Sequence, residues 1–135
     1  MENKKPKVLI IDDDKFLLNM YSLKFSKSNF EVDSAATGEA ALEKIKDGFT
    51  PDVILLDIVM PGMDGFDVLG NLKKNKIAPN AMIIMLTNQG QLADIEKAKS
   101  FGINGYIIKA TTIPSEVVEE VTRIYNAEKG ITSPK

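Results

Sequence analysis

Neither cysteine nor histidine occurs among the 135 residues. Their absence removes disulfides, thiol nucleophiles and the usual structural zinc sites. It also removes any catalytic triad that turns on an imidazole. A bound metal would have to be held by oxygen, which narrows the choice to magnesium, manganese or calcium. A strong charge of one sign is missing too. Seventeen basic and nineteen acidic residues leave a formal net charge of −2. That gives no electrostatic ground to expect direct nucleic-acid binding or adhesion to an anionic membrane. Long apolar runs are absent as well. The opening MENKKPKVLIIDDD places only the run Val8–Ile11 before three acids, too little for a signal peptide or a membrane span. The sequence predicts a cytoplasmic protein with no membrane insertion.

What is present is 44% hydrophobic and 27% charged, the balance of one globular domain with a core to bury. Short apolar runs alternate with longer stretches of helical period. The runs are Val8–Ile11, Phe30–Val32, Val53–Leu56, Met82–Leu86 and Tyr106–Ile108. All but the second lack polar alternation, as expected of strands covered on both faces. Between them, apolar stripes mark helices: Leu17, Leu18, Tyr21 and Phe25; then Ala41, Leu42 and Ile45; then Phe66, Leu69 and Leu72. Ile95 and Ala98 form a thin fourth stripe, and Val117, Val121, Ile124 and Tyr125 a fifth. Pro114 suits a first helical turn. Thr37-Gly38, Pro51-Asp52, Pro61-Gly62, Pro79-Asn80 and Gly102 punctuate the elements. Strict alternation of five strands and five helices predicts an α/β fold, a doubly wound five-stranded parallel sheet with helices on both faces. The expected organisation is an N-terminal extension over 1–6, the domain over 7–127 and a flexible tail over 128–135. No segment is left for a DNA-binding helix-turn-helix.

The chemistry concentrates where the strands end. Open α/β sheets bind ligands beyond the carboxyl ends of their strands. There the first strand leaves Asp12, Asp13 and Asp14, and the third leaves Asp57. The fourth leaves Thr87, and the fifth leaves Lys109. Asp14 reads as the cap of the next helix, and Asp64 as a turn or cap acid. If the first and third strands are neighbours, several carboxylates converge. Two of them about 4 Å apart repel by roughly 4 kcal/mol at an effective dielectric of 20. Either one acid keeps its proton or a cation sits among them. Lys109 offers one positive charge. Magnesium offers two, and suits a site of one or two carboxylates, waters and a phosphate oxygen.

These motifs together resemble the receiver domain of two-component response regulators, the family of the chemotaxis response regulator. The motifs are IIDDD, LLDIVMPGMDG, LTN and YIIK, in that order, across Lys7 to Asn126. The resemblance implies a flavodoxin-like receiver fold with strand order 2-1-3-4-5. It implies that Asp57 accepts a phosphoryl group from a histidine kinase or histidine phosphotransfer protein, in a phosphorelay. It implies magnesium (or manganese) held by Asp13 directly, by Asp12 through water, by Asp57 and by the backbone carbonyl of Val59. Lys109 would pair with Asp57 and then with the phosphoryl oxygens. Thr87 would swing its hydroxyl onto the phosphoryl group, and Tyr106 would follow as a switch between buried and exposed rotamers. The output would be a docking face of helix four, strand five and helix five, read by a downstream protein target. The chain would be a phosphoacceptor rather than an enzyme.

Three positions depart from the commoner family pattern. Ala110 stands where a cis proline usually follows the lysine. Asn88 stands where a small residue usually follows the threonine, and it narrows access to the phosphoryl site. Val59 is apolar where a polar residue would orient an attacking water. Val59 and Gln89 occupy the family's main tuning positions for dephosphorylation, and with Asn88 they predict slow loss of the phosphoryl group. Two other readings compete with this one. One is a haloacid-dehalogenase-like phosphatase with Asp12 as nucleophile and Asp14 as acid/base, which leaves LLDIVMPGMDG unexplained. The other is a receiver-like or flavodoxin-like binding module that is never phosphorylated. No Gly-rich phosphate loop supports a nucleotide in it.

Overall fold

The computed structural model describes residues 5–88 and 92–130. Its elements alternate along the chain: β1 (Lys7–Ile11), α1 (Lys15–Lys27), β2 (Glu31–Ala35), α2 (Gly38–Lys46) and β3 (Val53–Asp57). Then follow α3 (Gly65–Lys74), β4 (Met82–Thr87), α4 (Leu92–Ser100), β5 (Gly105–Ile108), a 3-10 turn at Lys109–Thr111 and α5 (Pro114–Glu128). The strands form one parallel sheet in the order β2-β1-β3-β4-β5. The expected fold class and strand order are both observed.

Alternation along each strand divides the core in two. Val8, Ile10, Val53, Leu55, Ile84 and Leu86 face a layer shared with α1 and α5. Leu9, Ile11, Ile54, Leu56, Ile83 and Met85 face a second layer shared with α2, α3 and α4. Successive strand residues point to opposite faces, so only continuous apolar runs can serve both layers. Every residue of β3 and β4 is buried, as the unbroken runs predict. Four of the helical stripes hold as read: Leu18, Tyr21 and Phe25, then Ala41, then Leu69 and Leu72, then Val117, Val121 and Ile124 are buried. Ile95 and Ala98 of the thin α4 stripe are buried as well.

β2 differs from expectation. The run Phe30–Val32 predicted the strand, but it spans Glu31–Ala35 and exposes or half-exposes four of its five residues. It lies at the sheet edge, where polar Asp33 and Ser34 meet water and need not be apolar. Phe30 instead precedes the strand and packs edge-on against Phe25, ring centres 5.0 Å apart.

The helix starts are capped by side chains. Asp14 accepts from the Leu17 N–H at 3.1 Å, and Thr37 accepts from the Ala40 N–H at 3.0 Å. Asp64 and Asp67 form a reciprocal capping box on α3. Pro114 occupies the first turn of α5 as expected, and the Glu116 carboxylate accepts from the Ile113 N–H at 3.1 Å. The expected extension and tail fall largely on 1–4 and 131–135, outside the described residues, as does Gln89. Among the described residues no helix is long and apolar enough to cross a membrane.

Candidate functional site

The neighbouring strands β1 and β3 bring their terminal acids together. Ile11 lies opposite Leu56 in the parallel ladder, so Asp12 leaves β1 beside Asp57 at the end of β3. Asp57 in turn faces Leu86, one residue before Thr87. Carboxylate oxygens of Asp12, Asp13 and Asp57 all lie within 4.8 Å of one another. Asp12 is fully buried, Asp57 is 4% exposed, and Asp13 stands open to solvent. The cluster therefore opens to solvent at Asp13 and is buried at Asp12 and Asp57.

Lys109 reaches in from the end of β5. Its ammonium sits 2.9 Å from Asp12 Oδ2 and 3.3 Å from Asp57 Oδ2. The contact with Asp57 is a hydrogen bond, whereas the one with Asp12 is an ion pair without hydrogen-bond alignment. Asp12 Oδ1 accepts from the Asp14 N–H at 3.0 Å. The resemblance implied the pairing of Lys109 with Asp57. The shorter contact with Asp12 had no signal in the sequence, because it depends on how far the lysine reaches across the ends of β4 and β3.

Burial dominates the electrostatics. It pushes the Asp57 carboxyl up to about 7, with Lys109 pulling it down and Asp12 and Asp13 adding to the rise. For Lys109, burial works to lower the ammonium, but its contacts with Asp12 and Asp57 prevail and hold it above its usual value. Tyr21, buried in the α1 layer, has its phenol raised chiefly by burial, and it also feels the charges of Lys109, Asp12 and Asp57.

The other residues named from the sequence differ in exposure. Thr87 ends β4 and is 5% exposed. Asn88 follows it at the surface. Val59 lies two residues past Asp57 with its side chain 72% exposed. Tyr106 stands at the surface of β5, 37% exposed. Asp14 and Asp64 are helix caps, as read. No peptide bond among the described residues is cis.

The donor set fits a hard divalent cation. Three carboxylates offer oxygen alone, one of them exposed, and a single lysine leaves their charge uncompensated. Phosphoryl chemistry at a buried carboxylate beside a cation site is what such an arrangement can perform.

A family model described as the response regulator receiver domain matches residues 8–122. The chain belongs to this family. As a receiver, it is 38% identical over 119 residues to the chemotaxis protein CheY of Thermotoga maritima, covering 87% of this chain and 96% of that protein. It is also 32% identical over 120 residues to the transcriptional regulatory protein ResD of Bacillus subtilis, covering 89% of this chain and 48% of that one. This receiver thus spans about half the length of several curated relatives that it matches. Among solved structures, CheY4 of Vibrio cholerae aligns with a TM-score of 0.81 at 28% identity, over 89% of this chain and 98% of the other. A CheY-like receiver domain from Methanospirillum hungatei aligns at 0.82 and 27% identity, over 93% and 98%. Response regulators of two-component systems are thus the setting of this receiver, and its fold is the flavodoxin-like one of those neighbours.

Proposed function

We propose that the protein is the phosphoacceptor of a phosphorelay, with Asp57 as the acceptor. The convergence of Asp12, Asp13 and Asp57 under the Lys109 ammonium carries this reading. An Asp57 oxygen attacks the phosphorus of a phosphohistidine on a kinase or phosphotransfer protein. The new P–O bond forms as the P–N bond breaks, and the imidazole leaves with the bonding pair and takes up a proton. Asp13 and Asp57, with Asp12 and the Val59 carbonyl assisting, would hold magnesium (manganese would serve). Bound there, the ion would supply positive charge against the phosphoryl oxygens. Lys109 supplies a second positive charge, and Thr87 a hydroxyl donor.

The added group brings about −1.5 to −2 charges to a carboxylate that is almost fully buried. Lys109 then divides its contacts between Asp12 and the phosphoryl oxygens. Thr87 draws toward the new acceptor, and Tyr106 moves into the space it leaves. The face of α4, β5 and α5 changes with them and is read by a downstream protein. Self-dephosphorylation is slow in this proposal. Val59 offers no hydrogen bond to a water, and Asn88 crowds the entrance. Val59→Asn is expected to shorten the phosphoryl lifetime about tenfold by orienting that water. An unchanged lifetime would count against the role given to Val59.

Intact mass after incubation with acetyl phosphate tests the central step. One added phosphoryl group is expected for the wild type with magnesium, and none without magnesium or in Asp57→Asn. A phosphatase of the haloacid-dehalogenase type would instead release phosphate from small esters and lose that activity in Asp12→Asn. The geometry disfavours it: Asp12 is buried and already engaged by Lys109 and the Asp14 N–H, and Asp14 is spent on capping α1. A binding module that is never phosphorylated would give no adduct under any condition.

A further inference from the structure

A trough runs along the free edge of the sheet, between β5 and α5. Its upper part encloses about 590 Å³ and its lower part about 380 Å³. Tyr106, Glu120 and Arg123 line both parts and form the waist between them. Ile107 and Ile108 contribute apolar lining to the upper part, and Ile124 to the lower. The rim is acidic. Glu116, Glu119 and Glu120 border the upper part, and Glu128 the lower. α5 carries these four acids against one base, Arg123. Lys99 of α4 is the one other cation that borders the trough among the described residues.

Arg123 is already held by Glu120, through its Nε at 3.2 Å and through a second guanidinium nitrogen. Both side chains are largely exposed, Arg123 66% and Glu120 40%. A pair so exposed contributes little stability and exchanges partners readily. Among the described residues, the Glu116 carboxylate accepts a hydrogen bond at its own helix start, from the Ile113 N–H, and neither Glu116 nor Glu119 forms an ion pair. Glu116, Glu119 and Glu120 lie at i, i+3 and i+4, so they share one face of α5.

We infer that this trough docks a cationic segment of a partner protein, with lysine or arginine against Glu116, Glu119 and Glu120 and apolar side chains over Tyr106 and Ile108. Charge complementarity selects such a partner over an acidic or a neutral one. A partner cation on Glu120 replaces Arg123 at the waist and joins the two parts of the trough. Tyr106 lines both parts of the trough, and it is the residue that moves toward Thr87 in the proposed switch. For that coupling the inference rests on the proposed receiver switch. The docking chemistry itself does not.

The test is a display library of random 16-residue segments panned against the whole protein with magnesium, unphosphorylated and after acetyl phosphate. Selected peptides are expected to be enriched in lysine and arginine. Their affinity should fall about tenfold or more in Glu116→Lys/Glu119→Lys, and should weaken between about 50 and 300 mM salt. A control variant of equal charge change, Glu31→Lys/Glu43→Lys on β2 and α2, should bind as the wild type does. Neutral or acidic selected peptides would overturn the inference. So would equal loss in both variants, which would mean attraction to an acidic protein at large, and so would the absence of any enrichment. Phosphoryl uptake measured by mass on the same samples separates the two claims. Uptake without cationic selection sinks the trough and leaves the receiver function standing. Cationic selection without uptake does the reverse.

Discussion

Asp57 is pushed up to about 7 by burial, against a value of 3.8 for a free carboxyl, so between those two pH values it keeps its proton in the folded protein where the unfolded chain has lost it. The sign of the consequence follows. The stabilisation is fully present below about pH 4, declines as pH rises and is lost once pH passes about 7. Asp57→Asn removes the titration but keeps the shape. Without magnesium, the variant should be more stable than wild type at pH 8 by roughly 1–3 kcal/mol, with the gap closing toward pH 5. Urea melts at both pH values measure it, and parallel pH profiles for the two proteins would refute it. Lys109→Met should act oppositely. It leaves Asp12 and Asp57 buried without their cation, at a cost of roughly 3–5 kcal/mol at pH 8. The loss should shrink at pH 5, where Asp57 takes a proton, and shrink again when magnesium is added. A loss that ignores both would mean that Lys109 acts through packing alone. At this scale the site was legible because the residue types are rare at strand ends and occur together. The link from Lys109 to Asp12 was not, since side-chain reach is not written in sequence spacing.

The segment between β3 and α3 fixes the backbone of the carboxylate proposed as the phosphoacceptor. Gly65 opens α3 directly against the end of β3, with its N–H donating to the Ile58 carbonyl at 2.8 Å. A Cβ there would meet the Asp57 carbonyl oxygen and lie 2.8 Å from the Ile58 Cα, both of them backbone atoms that cannot rotate away. Gly65→Ala should therefore push α3 off β3 and cost roughly 1–3 kcal/mol. It should also slow phosphoryl uptake, because Asp57 and Val59 move with that backbone. Gly70 sits in the same helix with nothing within 4 Å of an added Cβ. Gly70→Ala should leave uptake unchanged and stabilise by up to about 1 kcal/mol. Equal effects of the two substitutions would remove the special role of Gly65. Caps and stripes such as Asp14, Asp64 and the α5 face were readable, because they follow local rules. The extent of β2 was not, since an edge strand satisfies its backbone without an apolar signature.

Across the whole molecule, rigidity and exposure are distributed unevenly about Asp57. β1, β3 and β4 sit between two apolar layers, and almost all their residues are buried. β5 is a four-residue edge strand that opens on Gly105 and exposes Tyr106. On the α3–α4 side, Phe66 of α3 stacks on Phe101 just past the end of α4, with the Lys97 ammonium of α4 4.4 Å from the Phe66 ring centre. Charge added at Asp57 cannot rearrange the packed centre without breaking both layers, so the change is expected to pass to the edge that is least held. Amide hydrogen exchange before and after acetyl phosphate should show altered protection in β5, the 3-10 turn at Lys109–Thr111 and α4. Protection of β1, β2 and α2 should stay constant, as should that of β3 short of Asp57. A uniform change across the sheet would mean that the phosphoryl group alters global stability instead of biasing one face. A change centred on β2 and α2 would place the output on the opposite edge of the sheet, away from Tyr106 and the acidic trough.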